Sequence, residues 1–317
     1  MGNDEKPLVS ICCISYNHEK FISQCLDGFI IQKVDFPFEI VISDDCSTDN
    51  TKKIIDTCVS KYPAIFKDVS PSKNLGSTKN FYHVLEKASG KYIAYCEGDD
   101  YWIDENKLQM QVDFLENNPE YGMCYSKAKQ YIQSKQKFNK KSIGADFDGF
   151  EDLLKNGNRI PTLTTVYRKD LLDKYEKEIQ PSNKGWLMGD YPMWLYFSHE
   201  SKVKFFDKTT AVYRVLEESA SHSVDVERKF KFVESYYEII KYFSQRYERP
   251  NKSWDENEHR FNIIYYRLLT RYNKKDAKIL KSLTDNSTRK KLIVFFSNNI
   301  LLWYVFKTIL FVRGSYK

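Results

Sequence analysis

The sequence predicts an α/β fold, with a mainly parallel central sheet flanked by helices, followed by a C-terminal helical extension. Three observations lead there. Short apolar runs alternate with helix-spaced apolar residues over the first hundred positions. Polar and acidic clusters close the strand-like runs, which is where an open parallel sheet forms its ligand crevice. From Val226 onward only helical periodicities remain.

The elements follow in order. Leu8 to Ile14 is a continuous apolar run, as expected of a strand buried on both faces. Phe21, Cys25, Leu26 and Phe29 then recur at helical spacing, and Phe38 to Ile42 is a second buried strand ending in Asp44-Asp45. Ser47-Thr48-Asp49 opens a helix carrying Ile54, Ile55 and Val59, and a third helix is expected over Ser77 to Ala88. Tyr92 to Cys96 reads as a strand halted by Glu97-Gly98-Asp99-Asp100. After a helix over Lys107 to Glu116, strands are expected at Tyr121 to Tyr131, Leu163 to Arg168 and Val203 to Tyr213, with a short helix at Tyr191 to Ser198. Phe230, Val233, Tyr237 and Ile240 mark one late helical stripe, and Phe261, Ile264, Tyr265 and Leu268 another. These patterns divide the chain into an α/β domain over residues 1–224, whose halves are 1–119 and 120–224, and a helical region over 225–317.

The 317 residues carry a net charge of +6, unevenly placed. Through Ser223 there are 29 basic and 33 acidic residues, whereas from Val224 onward there are 20 basic and 10 acidic. A uniformly basic coat is excluded, so no nucleic-acid partner is expected, and attraction to anionic surfaces belongs to the last third. The seven cysteines show no C-x-x-C spacing and sit in apolar runs such as Ile11-Cys12-Cys13-Ile14. They read as small core residues in a reducing compartment. The opening Met1-Gly2-Asn3-Asp4-Glu5-Lys6 lacks the apolar stretch of a signal peptide, so a cytoplasmic location is expected.

Two acidic clusters are candidates for chemistry. Glu97, Asp99 and Asp100 place three carboxylates within four residues, and these repel one another unless a cation joins them. Oxygen ligands of this kind suit Mg²⁺ or Mn²⁺, and Gly98 permits a tight turn between them. A solvated acidic turn capping the next helix is the plainer alternative. Asp44-Asp45 would accept a ribose hydroxyl or a base N–H in a nucleotide-binding sheet. The alternative is an Asx turn leading into a helix capped by Ser47 or Thr48. Neither G-x-G-x-x-G nor G-x-x-x-x-G-K-[ST] occurs, which excludes dehydrogenase and P-loop readings.

Taken together, Val9-Ser10-Ile11 through Ser15-Tyr16-Asn17, Asp44-Asp45-Cys46-Ser47-Thr48-Asp49-Asn50-Thr51, Asn74-Leu75-Gly76 and Glu97-Gly98-Asp99-Asp100-Tyr101-Trp102 resemble the family two glycosyltransferases of the GT-A fold, a Rossmann-like architecture. The resemblance covers residues 7 to 222. It implies an inverting enzyme that takes a sugar from a nucleotide-diphosphate sugar, with Mn²⁺ or Mg²⁺ as cofactor. By position, Ser15, Tyr16, Asn17, Asn74 and Gly76 belong to the donor site, Asp45 with Asp44 contacts the nucleoside, and Tyr16 packs near the base. Glu97-Gly98-Asp99 stands in place of the metal-binding Asp-x-Asp. Because Glu97 departs from the usual Asp, it is expected to reach ribose or to act through water. Asp99 is the preferred metal ligand, with Asp100 second.

Gly189-Asp190-Tyr191-Pro192-Met193-Trp194 resembles the segment carrying the catalytic base, which makes Asp190 the acceptor of the incoming hydroxyl's proton. A helix N-cap before Pro192 is its plainer alternative. Tyr213-Arg214 and Ser219-Ala220-Ser221-His222 resemble the stretch after the base. There Arg214 would hold diphosphate oxygens or serve as a surface ion-pair residue, and His222 would touch phosphate or metal. Thr162, Thr164 and Thr165 fit an acceptor crevice or an ordinary strand, while Trp102 and Trp194 wall the pocket or the core. Two other classes share parts of this pattern. A sugar-phosphate nucleotidyltransferase would show a glycine-rich basic loop, which Ser15-Tyr16-Asn17-His18-Glu19 lacks; a non-catalytic nucleotide-sugar-binding module would not need Asp99, Asp190 and Arg214 together.

Leu292 to Val312 is strongly apolar but contains Ser297-Asn298-Asn299 and Lys307, and Arg289-Lys290-Lys291 and Arg313 flank it. Polar groups in mid-span argue against a membrane crossing. An interfacial helix on an anionic membrane and a buried helix closing the domain both fit. The expected acceptor is a glycan or lipid-linked glycan of a bacterial surface polysaccharide, built in the cytoplasm at the inner face of the plasma membrane.

Overall fold

The apolar run near the N-terminus becomes strand β1, Val9–Ser15, buried along nearly its whole length. A computed structural model describes residues 6–216, 226–248 and 256–312. The chain divides into two units, Met1–Glu217 and Glu218–Lys317. In the first, β1 is followed by α1 (Ile22–Ile30), β2 (Phe38–Asp44), α2 (Thr51–Lys61), β3 (Phe66–Asp68), α3 (Ser77–Glu86), β4 (Tyr92–Tyr95) and β5 (Tyr101–Trp102). Then come α4 (Lys107–Asn117), β6 (Tyr121–Ile132), β7 (Lys137–Phe138), α5 (Gly149–Asn156), β8 (Val166–Arg168), α6 (Lys169–Ile179), α7 (Asp190–Glu200) and β9 (Lys202–Val215).

The strands form one sheet in the order β3-β2-β1-β4-β8-β6-β9-β5, with β7 paired to β6. This is a mixed α/β sheet with flanking helices, parallel as the alternation predicts over β3, β2, β1 and β4 and mixed beyond. Pairing is parallel through β3, β2, β1 and β4. Beyond β4, strand β8 enters antiparallel between β4 and β6, β6 and β9 run parallel, and β5 runs antiparallel to β9. Register decides where the site lies. Ser15 sits opposite Asp44, so the polar ends of β1 and β2 arrive together. Past β4, the Cys96 N–H donates to the Cys12 carbonyl (3.1 Å) and the Gly98 N–H to the Ile14 carbonyl (2.9 Å). The acidic run is thereby laid beside the same edge.

The core beneath is continuous, from Ile11, Cys13 and Ile40 to Phe29, Trp102 and Leu108. Burying side chains of this size contributes roughly 1.5–3 kcal/mol each. Trp102 meets Phe29 edge-on at 4.8 Å, and its indole N–H donates to the Leu163 carbonyl (2.7 Å), so it is a core residue. Gly28 lets α1 press on β5: a Cβ there would lie 2.9 Å from the Trp102 amide nitrogen and carbonyl oxygen. All seven cysteines are free.

Two expected elements differ. The strand expected from Leu163 starts only at Val166, because Thr162–Thr164 forms a short helical turn in which the Thr164 N–H bonds the Pro161 carbonyl (2.9 Å). The apolar C-terminal stretch breaks in two, because the Asn299 side chain accepts the Leu301 N–H (2.8 Å) and starts a new helix. β3, β5 and β7 are two or three residues long, too short to leave a periodicity.

The second unit contains α8 (Val226–Arg246), α9 (Glu256–Thr270), α10 (Lys274–Ser282), α11 (Thr288–Ser297) and α12 (Ile300–Val312). Phe261, Leu268, Leu280, Ile293, Trp303 and Phe306 form its core, and the Trp303 indole donates to the Leu268 carbonyl (2.9 Å). One face of α11 and α12 is thus internal, as the buried-helix alternative requires. Their other face exposes Leu292, Phe295, Leu301, Tyr304, Val305 and Ile309. No helix among the described residues is long and apolar enough to cross a membrane.

Candidate active site

Three loops meet at the carboxyl edge of β1, β2 and β4. The loop after β1 turns at Asn17, whose φ of 56° is left-handed, a conformation asparagine tolerates better than most residues. Its Oδ1 accepts the Thr48 N–H (2.8 Å), its own N–H donates to Ser47 Oγ (2.8 Å), and the His18 N–H donates to Thr51 Oγ1 (2.7 Å). Asn17 is therefore a link between two loops. Tyr16 stands at the rim, 45% exposed, free to receive a planar ring.

The Asp44-Asp45 pair divides its work. Asp44 is buried and its carboxylate accepts both the Ser47 N–H (3.0 Å) and the Ser47 hydroxyl. This bond reaches three residues on, not the two of an Asx turn, and α2 starts only at Thr51 with Asn50 at its N-cap, so neither Ser47 nor Thr48 caps the helix as the plainer alternative expects. Asp45 Oδ1 accepts the Leu75 N–H (2.7 Å), Oδ2 accepts the Gly76 N–H (2.8 Å), and its carbonyl accepts from Asn74 Nδ2 (2.8 Å). Asn74 and Gly76 are thus held by Asp45. Gly76, with φ at +80°, then launches α3. From α3, Thr78 donates to the Leu187 carbonyl (3.3 Å) and the Tyr82 hydroxyl to the Gly189 carbonyl (3.3 Å), just ahead of Asp190. One chain of contacts runs from β2 to the proposed base.

The acidic run after β4 is less satisfied. Asp100 is buried and accepts the Arg214 N–H (2.7 Å), which makes it a strut between loop and strand. Burial, with Asp99 and Glu97 close by, raises its carboxyl well above the usual range. Glu97 is pushed up to about 8, first by being enclosed in protein and then by the charges of Asp99 and Asp190. Glu97 therefore feels both its neighbour Asp99 and, from a distant stretch, Asp190. Asp99 accepts no hydrogen bond among the described residues; its nearest basic group is His18, with Nε2 4.0 Å from Asp99 Oδ2. Ser15 Oγ is buried without a partner beside Gly98, where a Cβ would lie 2.9 Å away.

Asp190 is the first residue of α7 and is fixed on both oxygens. Oδ2 accepts the Thr162 hydroxyl (2.6 Å) and Asn158 Nδ2 (3.4 Å), and Oδ1 accepts the Tyr191 N–H (2.7 Å). Thr162 and Asn158 are site residues whose part in this arrangement sequence reasoning missed, since a loop partner has no fixed spacing from the residue it orients. Arg214 is not a surface ion-pair residue. It is 7% exposed, and its guanidinium lies between the Phe21 ring (4.9 Å) and the Tyr101 ring (4.7 Å), with Gln24 and Gln133 as side-chain partners. His222 lies outside the described residues.

Among the described residues no group of three His, Cys, Asp or Glu side chains is arranged to hold a metal ion. A Mg²⁺-type ion shared with a substrate's phosphates takes only one or two carboxylates from protein and keeps waters elsewhere. Asp99, whose oxygens accept no hydrogen bond from the described residues, fits that lesser demand. Two surface cavities, about 650 Å³ beside Lys281 and Phe295 and about 450 Å³ beside Lys91 and Arg168, contain none of these acids.

Residues 10–176 match the family described as glycosyl transferase family 2. An uncharacterized protein of Mycobacterium tuberculosis (strain ATCC 25618 / H37Rv) is 35% identical over 229 residues, which is 72% of this chain and 64% of that protein. This chain thus spans less than two thirds of that relative's length. The UDP-Glc:alpha-D-GlcNAc-diphosphoundecaprenol beta-1,3-glucosyltransferase WfgD of Escherichia coli is 26% identical over 236 residues, covering 74% of this chain and 85% of that one. Among solved structures, S. aureus TarS 1-349 in complex with UDP-GlcNAc shares the fold, with a TM-score of 0.54 at 17% identity over 96% of this chain and 92% of that one.

Proposed function

We propose that this chain, which belongs to glycosyl transferase family 2, transfers a sugar from a nucleotide-diphosphate sugar to a hydroxyl of a glycan or lipid-linked glycan, with inversion and with Mn²⁺ or Mg²⁺ as cofactor. One observation carries the reading: Asp99 accepts no hydrogen bond from the described residues, beside a Glu97 whose carboxyl also feels the charge of Asp190. A lipid-diphosphate acceptor is in keeping with the Escherichia coli relative WfgD, a glucosyltransferase named for an alpha-D-GlcNAc-diphosphoundecaprenol acceptor.

The residues divide the task as follows. Asp45 shapes the 74–76 loop and each of its oxygens keeps a lone pair for the nucleoside, with Tyr16 against the base. Glu97, whose carboxyl burial and the charges of Asp99 and Asp190 push up, hydrogen-bonds ribose. Asp99 holds the ion, with Asp100 behind it as a strut, and Arg214 adds positive charge beside Asp100. The ion supplies electrostatic stabilisation of the charge that grows on the departing diphosphate. Asp190 accepts the acceptor hydroxyl's proton, its carboxylate aimed by Thr162, Asn158 and the Tyr191 amide. Residues 1–119 hold the donor, 120–224 shape the acceptor pocket, and 225–317 form the helical region. A screen of nucleotide sugars for ion-dependent hydrolysis and thermal stabilisation tests this; the account requires at least one sugar nucleotide to be both stabilising and consumed, and stabilisation without turnover would favour the binding-module reading.

We further propose that α11 and α12 rest on the anionic inner face of the plasma membrane, where a lipid-linked acceptor would lie. Leu301 is 73% and Phe295 60% exposed on their outer face, and the cavity of about 650 Å³ beside Phe295 is edged by Lys281 and Lys291. The region from Val224 has twice as many basic as acidic residues. Such a face suits acyl chains below and anionic headgroups at the rim. In flotation with phosphatidylglycerol vesicles, Leu301→Asp with Val305→Asp should reduce binding by about tenfold, and unchanged binding would refute the docking.

A further inference from the structure

We propose that His18 binds the pyrophosphate of the donor, standing across from Asp99. The inference rests on the donor-site reading above, and it assigns work to a residue which the sequence pattern left aside.

The imidazole is not on a free loop. The His18 N–H is tied to Thr51 Oγ1 (2.7 Å), and its carbonyl accepts the N–H groups of Phe21 (2.8 Å) and Ile22 (2.9 Å) at the start of α1. With backbone fixed on both sides, the ring projects toward the acidic run. His18 Nδ1 is buried without a hydrogen-bond partner. Ser15 Oγ shares that condition, in a residue only 2% exposed. Both atoms crowd Gly98, where a Cβ would stand 2.9 Å from Ser15 Oγ and 3.1 Å from His18 Nδ1. Nδ1 is thus closed in against the Gly98 turn, which leaves Nε2 as the ring nitrogen directed at Asp99.

The spacing identifies what that is. His18 Nε2 and Asp99 Oδ2 are 4.0 Å apart, beyond hydrogen-bond length. One ion bonded to both at about 2.1 Å would need an angle of roughly 130–145°, neither the right angle nor the straight line of an octahedral ion. An oxygen hydrogen-bonded to the imidazole and near the carboxylate-held ion meets no such conflict. Pyrophosphate supplies oxygens of that kind, and an imidazole N–H to a phosphate oxygen is a charge-assisted hydrogen bond. Arg214 is already enclosed by two rings and two glutamines. The loop after β1 has no glycine-rich basic cradle; of its two basic side chains Lys20 is exposed, and His18 is the one beside Asp99.

The test measures binding on the full chain, with UDP, GDP and dTDP as probes in 5 mM-scale Mg²⁺, a concentration on the order of common nucleotide assays. His18→Ala and His18→Phe should each weaken the diphosphate that binds the native protein by roughly tenfold, while affinity for its parent nucleoside stays unchanged. His18→Gln, which keeps an N–H near the Nε2 position, should remain within about threefold. Native affinity in both His18→Ala and His18→Phe overturns the inference, as does loss in His18→Ala restored by His18→Phe, which would make the ring a packing element. Asp99→Asn separates the two claims: if it loses diphosphate binding while the His18 variants keep it, only the His18 assignment fails. If Asp99→Asn and the His18 variants all bind like the native chain, the donor-site reading fails with it.

Discussion

The ends of β2 and β4 carry similar acidic sequences and use them in opposite ways. At β2, the chain's own donors engage both carboxylates, Asp44 by Ser47 and Asp45 by the Leu75 and Gly76 amides. At β4, Asp100 alone receives a backbone N–H from another strand, while Glu97 and Asp99 are left facing each other and Asp190. Carboxylates that amides satisfy are parts of the scaffold. Carboxyls that no amide of another loop satisfies are left for what binds the site, a divalent ion in the reading proposed above. The difference does not lie in residue type but in whether a neighbouring loop supplies N–H groups.

Substitutions sharpen this contrast. The largest effect is expected at Asp190, where Asp190→Asn should lower kcat by about 10²–10⁴-fold with little change in melting temperature, since asparagine still accepts the Thr162 hydroxyl. Near-native turnover would remove Asp190 from the base role. At β2 the order reverses: Asp45→Ala should cost about 1–3 kcal/mol of stability, because the Leu75 and Gly76 amides lose their acceptor, and should weaken donor binding through the displaced loop. Denaturant unfolding with the native slope checks it, and an unshifted midpoint would mean that the loop holds itself.

A third variant probes the core below the site. Lys107 is fully buried at the start of α4, with its ammonium nitrogen unpaired 4.1 Å from the Trp102 ring centre. Burial lowers its pKa from 10.5 to about 7. Between those values the unfolded chain holds the extra proton, so stability rises with pH from about 7 to 10.5, by up to about 1.4 kcal/mol per unit. Lys107→Met should therefore stabilise most at pH 6–7 and least above pH 10. A gain that is constant across pH would show that Lys107 finds a partner in solution.

Most of the fold was legible from periodicity, because β1, β2 and β4 are largely buried on both faces and leave apolar runs interrupted only at Ser10 and Glu39. β5 was not, since Tyr101–Trp102 is two residues long and is held by its pairing with β9. In the site, the acidic run and Asp190 stood out as sequence. Which acid does what did not, because Asp44, Asp45 and Asp100 are assigned by donors from residues 47, 75–76 and 214. Thr162 shows the same limit: its position near a crevice was readable, its bond to Asp190 was a matter of tertiary contact.

The central claim is that Asp99 is unsatisfied by the protein because it serves an incoming ion. Thermal unfolding of the native chain and Asp99→Asn, each with and without Mn²⁺ and the diphosphate that stabilises best, tests it most directly. The account predicts that Asp99→Asn melts at or above the native temperature when alone and gains nothing from the ion–diphosphate mixture, whereas the native chain gains several degrees. Equal stabilisation of both proteins by that mixture would contradict it.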